Sequence, residues 1–567
     1  PYPFNGAERI SIDVHLDWDD CEHADSYNVY FGTGITLPLL TSTTQSECDL
    51  PALEYGTTYL WEVYAVNSCD QVSGGEWCFT TQSSDTYNSG SSTQVIPEVI
   101  WAQASYGGTW KTELQVTDLN GGAAVQAAFY YGGGNVRGPF TIWTNSGQDR
   151  SIKFNNFLEQ MESLDSGFDY FGRAGAVEFS TQPGERIQVS ARTSNGNFSK
   201  TFQGLNHNMD NTAASGRQTM IQNLVDNGVY RSAIGAYNPT AQSLDVQFLI
   251  LDSTGSPIGV PFNRTFSAHD YQALSPFKEA GISYPLYTLD NVFLYINALS
   301  GTGELICYGA TANNATNDPA VHTAVQVNDE GFYNSPSHHQ VLPEVIWASA
   351  TGGGIWQTEI QITDLSGASQ VSVWYNSSGG IRRGPFHIWS GGGNCSEKFP
   401  NIMQTLDTLD SGFSYFGTSG ALEFITQGEN NKIQVTARTS NGDYSKSFQG
   451  LNVIADNFVS ESRSMMIQNL CSNVTYRSAA GAFNPTGQSI TVRFDLVDGN
   501  GAVAGSFSKT MGAYAYQAFD PFSEAGLGYP AYSYDNICLR AVWVSGEGAL
   551  MLYGATANAA TNDPAIH

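Results

Sequence analysis

Val95-Ile-Pro-Glu-Val-Ile-Trp101 returns as Val341-Leu-Pro-Glu-Val-Ile-Trp347, and the echo continues to the end of the chain. Ala191-Arg-Thr-Ser-Asn-Gly196 recurs as Ala437-Arg-Thr-Ser-Asn-Gly442. Ser199-Lys-Thr-Phe-Gln-Gly-Leu-Asn206 recurs as Ser445-Lys-Ser-Phe-Gln-Gly-Leu-Asn452, and Tyr308-Gly-Ala-Thr-Ala-Asn313 as Tyr553-Gly-Ala-Thr-Ala-Asn558. A unit of about 230 residues is therefore duplicated with almost no insertion, which makes the architecture modular. Two equal modules suit spacing, stacking or multivalent attachment better than a single reaction.

Each copy holds two related halves. Trp110-Lys-Thr-Glu-Leu-Gln-Val-Thr-Asp118 and Tyr230-Arg-Ser-Ala-Ile-Gly-Ala-Tyr237 both read as an aromatic followed by a polar–apolar alternating strand. Period-two alternation broken by Gly, Asn and Pro turns predicts β-sandwiches of about 110 residues. Short helices are expected near Phe154 to Leu164 and Phe277 to Gly281. The first 82 residues alternate in the same way, as in Ile10-Ser-Ile-Asp-Val-His-Leu-Asp-Trp18 and Leu60-Trp-Glu-Val-Tyr-Ala-Val66. The expectation is an all-β chain: a sandwich over 1–82, a linker over 83–94, sandwiches over 95–215 and 216–322, a second linker over 323–339, and sandwiches over 340–460 and 461–567.

Composition narrows the function. The chain of 567 residues is 41% apolar and 12% aromatic, only 14% charged, and carries 59 glycines. That is a turn-rich β protein with a neutral polar surface, not a disordered chain. Its 53 acidic against 24 basic residues give a net charge of −29, a field that repels phosphate backbones and anionic lipid. Neither nucleic-acid binding nor membrane insertion is expected, since no apolar run approaches the roughly 18 residues of a spanning helix. The acid excess could recruit calcium, but a solvated surface is the simpler reading and no cofactor is expected. The opening at Pro1 reads as a processed form or a fragment.

With Trp18 on an early strand, Tyr59 as a tyrosine-corner candidate and the closing Trp77-Cys-Phe-Thr-Thr81, the first segment resembles a fibronectin type III domain. The likeness implies that Cys69 and Cys78 lie on the last two neighbouring strands, and Cys21 and Cys48 near adjacent strands of the other sheet. Those four are disulfide candidates in an oxidising compartment, because they lack any CxxC zinc spacing. Cys395 and Cys471, absent from the first copy, are a further candidate pair. Cys307 and Cys538 align with Leu552 and Phe293 and read as core residues. Residues 95–567 are similar to poorly characterised secreted bacterial repeat proteins through Asn238-Pro239, Asn484-Pro485, Asp318-Pro319 and Asp563-Pro564. That resemblance implies an extracellular bacterial setting and brings no catalytic residues.

Reactive constellations are not found. Glu113 and Asp118 repeat as Glu359 and Asp364, but an odd spacing puts each pair on opposite faces of a strand, where they cannot flank one glycosidic bond. Their expected roles are at the strand surface and in turns. Arg192, Arg438, Arg231 and Arg477 read as ties from a turn to a carboxylate. His338-His339 has no third ligand at metal spacing, and the glycine runs lack the helix that would cradle phosphate. The six N-x-S/T sequons are as many as chance would give, and none is kept between the copies. Trp110, Trp143, Trp356 and Trp389 recur at matched positions; core packing is the default, and stacking on sugar rings is the functional alternative. The reading is a non-enzymatic extracellular or cell-surface structural protein that self-associates as a filament, sheath or surface-layer subunit. Its alternatives are an adhesin or carbohydrate-binding protein, and a non-catalytic region of a secreted hydrolase.

Overall fold

A computed structural model gives the architecture. It describes all residues except 1, 2, 4, 6, 11–13, 22, 35, 51, 52, 54–56, 82–89, 105, 106, 146, 148, 197, 207–211, 328–334, 351, 352, 368, 379, 394, 429, 443, 454–457, 462, 561, 562 and 567, together with the side chains of 7–10. Most of the linker expected over 83–94, the centre of the second linker with Phe332 and Tyr333, and the sequons at Asn197 and Asn394 lie outside the described residues. The chain divides into two compact units, Pro1–Thr86 and Tyr87–His567. Both are all-β sandwiches.

In the first unit, strands Ser26–Gly32, Thr58–Val66 and Gln71–Thr81 form the middle of a five-stranded sheet, and His15–Asp17 pairs with Glu47–Asp49 in a second. The alternation along Ser26–Gly32 sends Tyr27, Val29 and Phe31 inward. They meet Trp18, Trp61, Tyr59 and Phe79 in one aromatic core, with Phe31 stacked on Tyr59 at 4.9 Å.

In the second unit the first halves of the two copies share one topology. The first half of copy one orders its strands Asn135–Thr144, Ala124–Tyr131, Arg173–Ser180, Thr93–Gln103, Thr109–Asp118, Ile187–Asn195, Phe198–Gln203. Its counterpart in copy two follows the same order from Arg382–Ser390 to Tyr444–Gln449. The sheet closes over a core of Val99, Leu114, Val125, Phe129, Phe179 and Val189, into which helix Phe157–Leu164 inserts Phe157, Leu158 and Met161. The repeated Pro-Glu explains a kink in this sheet. Pairing slips by one residue between Val177↔Ile96 and Gly175↔Val99, and again between Leu342↔Leu422 and Val345↔Gly420. Proline cannot donate to a ladder, so Pro97 and Pro343 sit at bulges.

The bulge aims Glu98 at the second half of its own copy. It accepts a hydrogen bond from Lys200 Nζ of its own half at 2.7 Å and one from the Tyr308 hydroxyl of the second half. Glu344 does the same with Lys446 and Tyr553. Tyr308 lies flat over Gly235, its cross-strand partner, where a Cβ would come within 2.2 Å of the ring. Gly481 and Tyr553 repeat the arrangement, with 2.0 Å. The Tyr-Gly-Ala and Ser-Ala-x-Gly-Ala motifs are therefore one packing device, and it joins the halves of a copy.

Candidate functional site

The copies do not hang as beads. The first half of copy one packs on the second half of copy two, and the second half of copy one on the first half of copy two, giving two junctions of equivalent design. At the first junction, Arg192 Nη2 lies 3.0 and 2.9 Å from the two Glu113 oxygens. Lys153 Nζ lies 3.2 Å from Glu113 and 2.7 Å from Asp535 of the other copy. The guanidinium also covers the Tyr476 ring at 3.9 Å. At the second junction, Arg438 binds Glu359 at 2.8 Å, Lys398 binds Glu359 at 3.4 Å and also Asp290, and Arg438 covers Tyr230 at 4.0 Å.

Polar side chains around these charges are matched across copies. Asn469 N–H donates to Gln115 at 2.5 Å, and Gln468 Nε2 donates to Thr117 at 2.6 Å. Asn223 N–H donates to Gln361 at 2.5 Å and Gln222 Nε2 to Thr363 at 2.6 Å. Ser151 and Asn536 are bonded at 3.2 Å, as are Ser396 and Asn291 at 3.0 Å.

Between the junctions, four edge strands meet: Phe198–Gln203, Pro319–Thr323, Tyr444–Gln449 and Pro564–Ile566. Asp318 accepts from Ser445 N–H at 2.7 Å and from its hydroxyl at 3.1 Å, while Asp563 accepts from the Ser199 hydroxyl at 3.1 Å. Phe198 and Tyr444 face each other with ring centroids 6.0 Å apart, next to the pseudo-twofold axis. The second unit is an intrachain pseudo-dimer.

The charges at the first junction stay fixed. Burial works to raise the Glu113 carboxyl, but Arg192 and Lys153 outweigh it and hold it below the ordinary carboxylate range. Burial works to lower the Lys153 amine; Cys471, Glu113 and Asp535 outweigh it and raise it. An amine locked as ammonium is not a nucleophile, and an ionised glutamate pinned by a guanidinium is not a general acid. The arrangement holds the two copies together.

The residues singled out in the sequence fall as follows. Glu113 and Asp118 are not brought together: Asp118 accepts the backbone N–H of Gly121 and Ala123, a turn role, whereas Glu113 is buried in the junction and not at a free strand surface. Arg231 reaches Asn314 at 3.1 Å and Asn317. His339 Nε2 lies 3.3 Å from Glu423, and His338 gives only its carbonyl to Thr426. Among the described residues no group of three His, Cys, Asp or Glu is placed to hold a metal ion. Asn376, a sequon, is buried against Glu423.

Among the described residues no disulfide is formed. Cys69 sits in the turn after Thr58–Val66, while Cys78 lies most of a strand beyond Gln71, opposite Leu60. At roughly 3.3 Å per residue that exceeds any S–S reach, so the two strands are neighbours but the two residues are not. Cys48 is buried on Glu47–Asp49, whereas Cys21 is exposed, its N–H bonded to the Tyr27 hydroxyl. Cys395 and Cys471 are not brought together either. Cys395 donates to Thr254 at one junction, and Cys471 is buried near Lys153 at the other.

All four matched tryptophans are half-buried. Trp143 and Trp389 pack against the cores. Trp110 lines a cleft of about 280 Å³ between the halves of copy one, with Lys200, Arg231, Ser275 and Asn317 around it. The sequence reading missed more exposed rings. Tyr284 and Tyr287 flank Leu286, itself 85% exposed, and Tyr529 and Tyr532 stand at the matching place in copy two. The repeated Tyr-Pro-x-Tyr in Tyr284–Tyr287 and Tyr529–Tyr532 was the available signal.

Comparison with known proteins adds little. No protein-family model and no curated protein matches the chain. Among solved structures, an α-L-rhamnosidase of Streptomyces avermitilis is similar over 97% of this chain and 56% of its own, at 8% identity and a TM-score of 0.15. An α-L-rhamnosidase of Aspergillus terreus covers 82% of this chain and 49% of its own, at 6% identity and TM-score 0.15. The immunoglobulin domains 1–5 of Sidekick-1 cover 100% and 97%, at 9% identity and TM-score 0.12. The chain spans about half the length of the two rhamnosidases, and scores this low carry no functional argument.

Proposed function

We propose that this chain is a non-catalytic structural protein of a bacterial cell surface, an extracellular subunit that self-associates into a filament, sheath or layer. One observation carries the reading: the buried Glu–Arg pair that the duplication repeats lies in the contact of sandwich on sandwich. Glu113, Arg192, Glu359 and Arg438 are withdrawn from solvent and mutually neutralised, so what the duplication preserves is an interface. A rigid four-sandwich block with a separate small sandwich before it is suited to bearing load and spacing attachments. Negative-stain microscopy across a concentration series tests this. Ordered assemblies that grow with concentration are expected; dispersed monomers throughout would contradict it.

A carbohydrate-binding role is the second reading, favoured by the cleft at Trp110. An indole beside Arg231, Ser275 and Asn317 offers a stacking face with flanking polar groups, a combination suited to a sugar ring. Glycan-array binding that is lost in Trp110→Ala, with unchanged circular dichroism, would establish it; no binding to any glycan would remove it.

A further inference from the structure

We propose that the surface joining the two copies also joins separate chains, by exchange of whole copies, and that the contact between Asp149 and Arg540 is part of the code that makes copy one select copy two. This rests on the self-association reading for its setting, and supplies the surface that reading lacks.

The argument begins with the equivalence of the junctions. Gln115, Thr117, Ser151, Lys153 and Arg192 at the first have the same residue types in Gln361, Thr363, Ser396, Lys398 and Arg438 at the second. Opposite them, Gln468, Asn469, Tyr476, Asp535 and Asn536 match Gln222, Asn223, Tyr230, Asp290 and Asn291. Such a surface is self-complementary, the property of an isologous dimer interface, and nothing in its chemistry requires the partner to be on the same polypeptide. Only the chain between residues 327 and 335 makes the intrachain pairing the favoured one, by raising the effective concentration of one copy around the other.

The free sheet edges are poorer routes to assembly. The outermost strands of the two first halves, Asn135–Thr144 and Arg382–Ser390, carry Pro139 and Pro385, which cannot extend a ladder.

What distinguishes the junctions is at their margin. At the first, Arg540 binds Asp149 of the other copy and Asp495 of its own at 3.1 Å. At the second, Tyr295 and Leu249 stand where Arg540 and Asp495 stand, and with Phe293, Met220 and Leu251 they form an apolar cluster that takes Leu365 of the other copy. Pairing copy one with another copy one would set Asp149 against the Tyr295 surface without its guanidinium. The two junctions thus favour copy one with copy two, an instance of specificity by mismatch of the alternative.

The test uses full-length chains. In Asp149→Arg the introduced guanidinium faces that of Arg540 in the same chain. In Arg540→Asp the introduced carboxylate crowds against those of Asp149 and Asp495. Exchange of copies between the two variants restores an opposite-charge pair at each first junction. Equimolar variants refolded together from urea at tens of micromolar should give a one-to-one species of twice the 61.2 kDa chain mass by light scattering. Each variant alone should give much less of that one-to-one species under the same conditions. Two separate monomers from the mixture, or as much dimer from either variant alone, would overturn the proposal. If a single variant does not refold, the doubly substituted chain decides: Asp149→Arg with Arg540→Asp must recover wild-type folding, and failure to do so overturns it. Filament imaging can fail while this dimer forms, and the reverse, so the two readings are separately testable.

Discussion

Replacing Glu113 by Gln removes one negative charge from a site where two cations converge on it. Arg192 is 3% exposed and Lys153 8% exposed at the side chain, and both lie within 3.2 Å of the carboxylate. Two such charges at about 4 Å interact by about 4 kcal/mol at an effective dielectric of 20, and desolvation has already been paid in the folded state. Breaking a buried pair from one side costs about 3–5 kcal/mol; the glutamine carbonyl can still accept a bond, which puts the expectation near 3 kcal/mol. Adding Arg192→Met should recover most of that loss, because Lys153 keeps Asp535 at 2.7 Å. Urea unfolding followed by circular dichroism measures both variants. Because the folded carboxyl is held low, its contribution is present above the ordinary glutamate value of about 4.3 and is lost as pH falls through the lowered folded value. The gap between wild type and Glu113→Gln should therefore narrow below about pH 4. A loss under about 1 kcal/mol, or a double variant no better than the single one, would refute the reasoning.

His322, buried in the strand Pro319–Thr323, is lowered to about 3 by burial and by the charges of Arg438 and Lys398. The unfolded chain takes up its proton near 6.5 while the folded chain does not, so stability should fall between about pH 6.5 and 3, by about 2 kcal/mol at pH 5, and His322→Gln should flatten that slope in pH-dependent urea titrations. Gly235→Ala and Gly481→Ala should each cost about 1–3 kcal/mol or more, since the added methyl meets a tyrosine ring; unchanged melting would contradict the packing. Alkylation of the native protein should label Cys69 and Cys395 but spare Cys307, Cys471 and Cys538 until denaturant is added, because burial raises all three thiols, Cys471 and Cys538 to about 11; peptide mass spectrometry reads the pattern.

The duplication and the all-β class were legible because alternation and motif repetition are local signals. The short helices were legible too, at Phe157–Leu164 and Pro276–Glu279. The pairing of the copies was not. Along Thr109–Asp118, Leu114 and Val116 mark the core face, and Glu113, Gln115 and Thr117 read as the face turned to water. In the fold that second face is equally buried, against the other copy. Polar residues that satisfy one another across an interface leave the same period-two pattern as polar residues in solvent, so alternation cannot separate the two. The expected Cys69–Cys78 pair is absent for a related reason: neighbouring strands do not set the register between two residues, and these two are far apart along theirs.

The central claim is that residues 87–567 are a closed pseudo-dimer and not a string of sandwiches. Phe198 and Tyr444 meet at its axis, ring to ring, although they belong to different copies. A chain carrying Phe198→Cys and Tyr444→Cys, treated at submicromolar concentration with a short bis-maleimide cross-linker and mapped by peptide mass spectrometry, should yield an intrachain 198–444 link in most molecules. If no such link forms while both cysteines remain reactive in the folded protein, the copies do not face each other and the account fails.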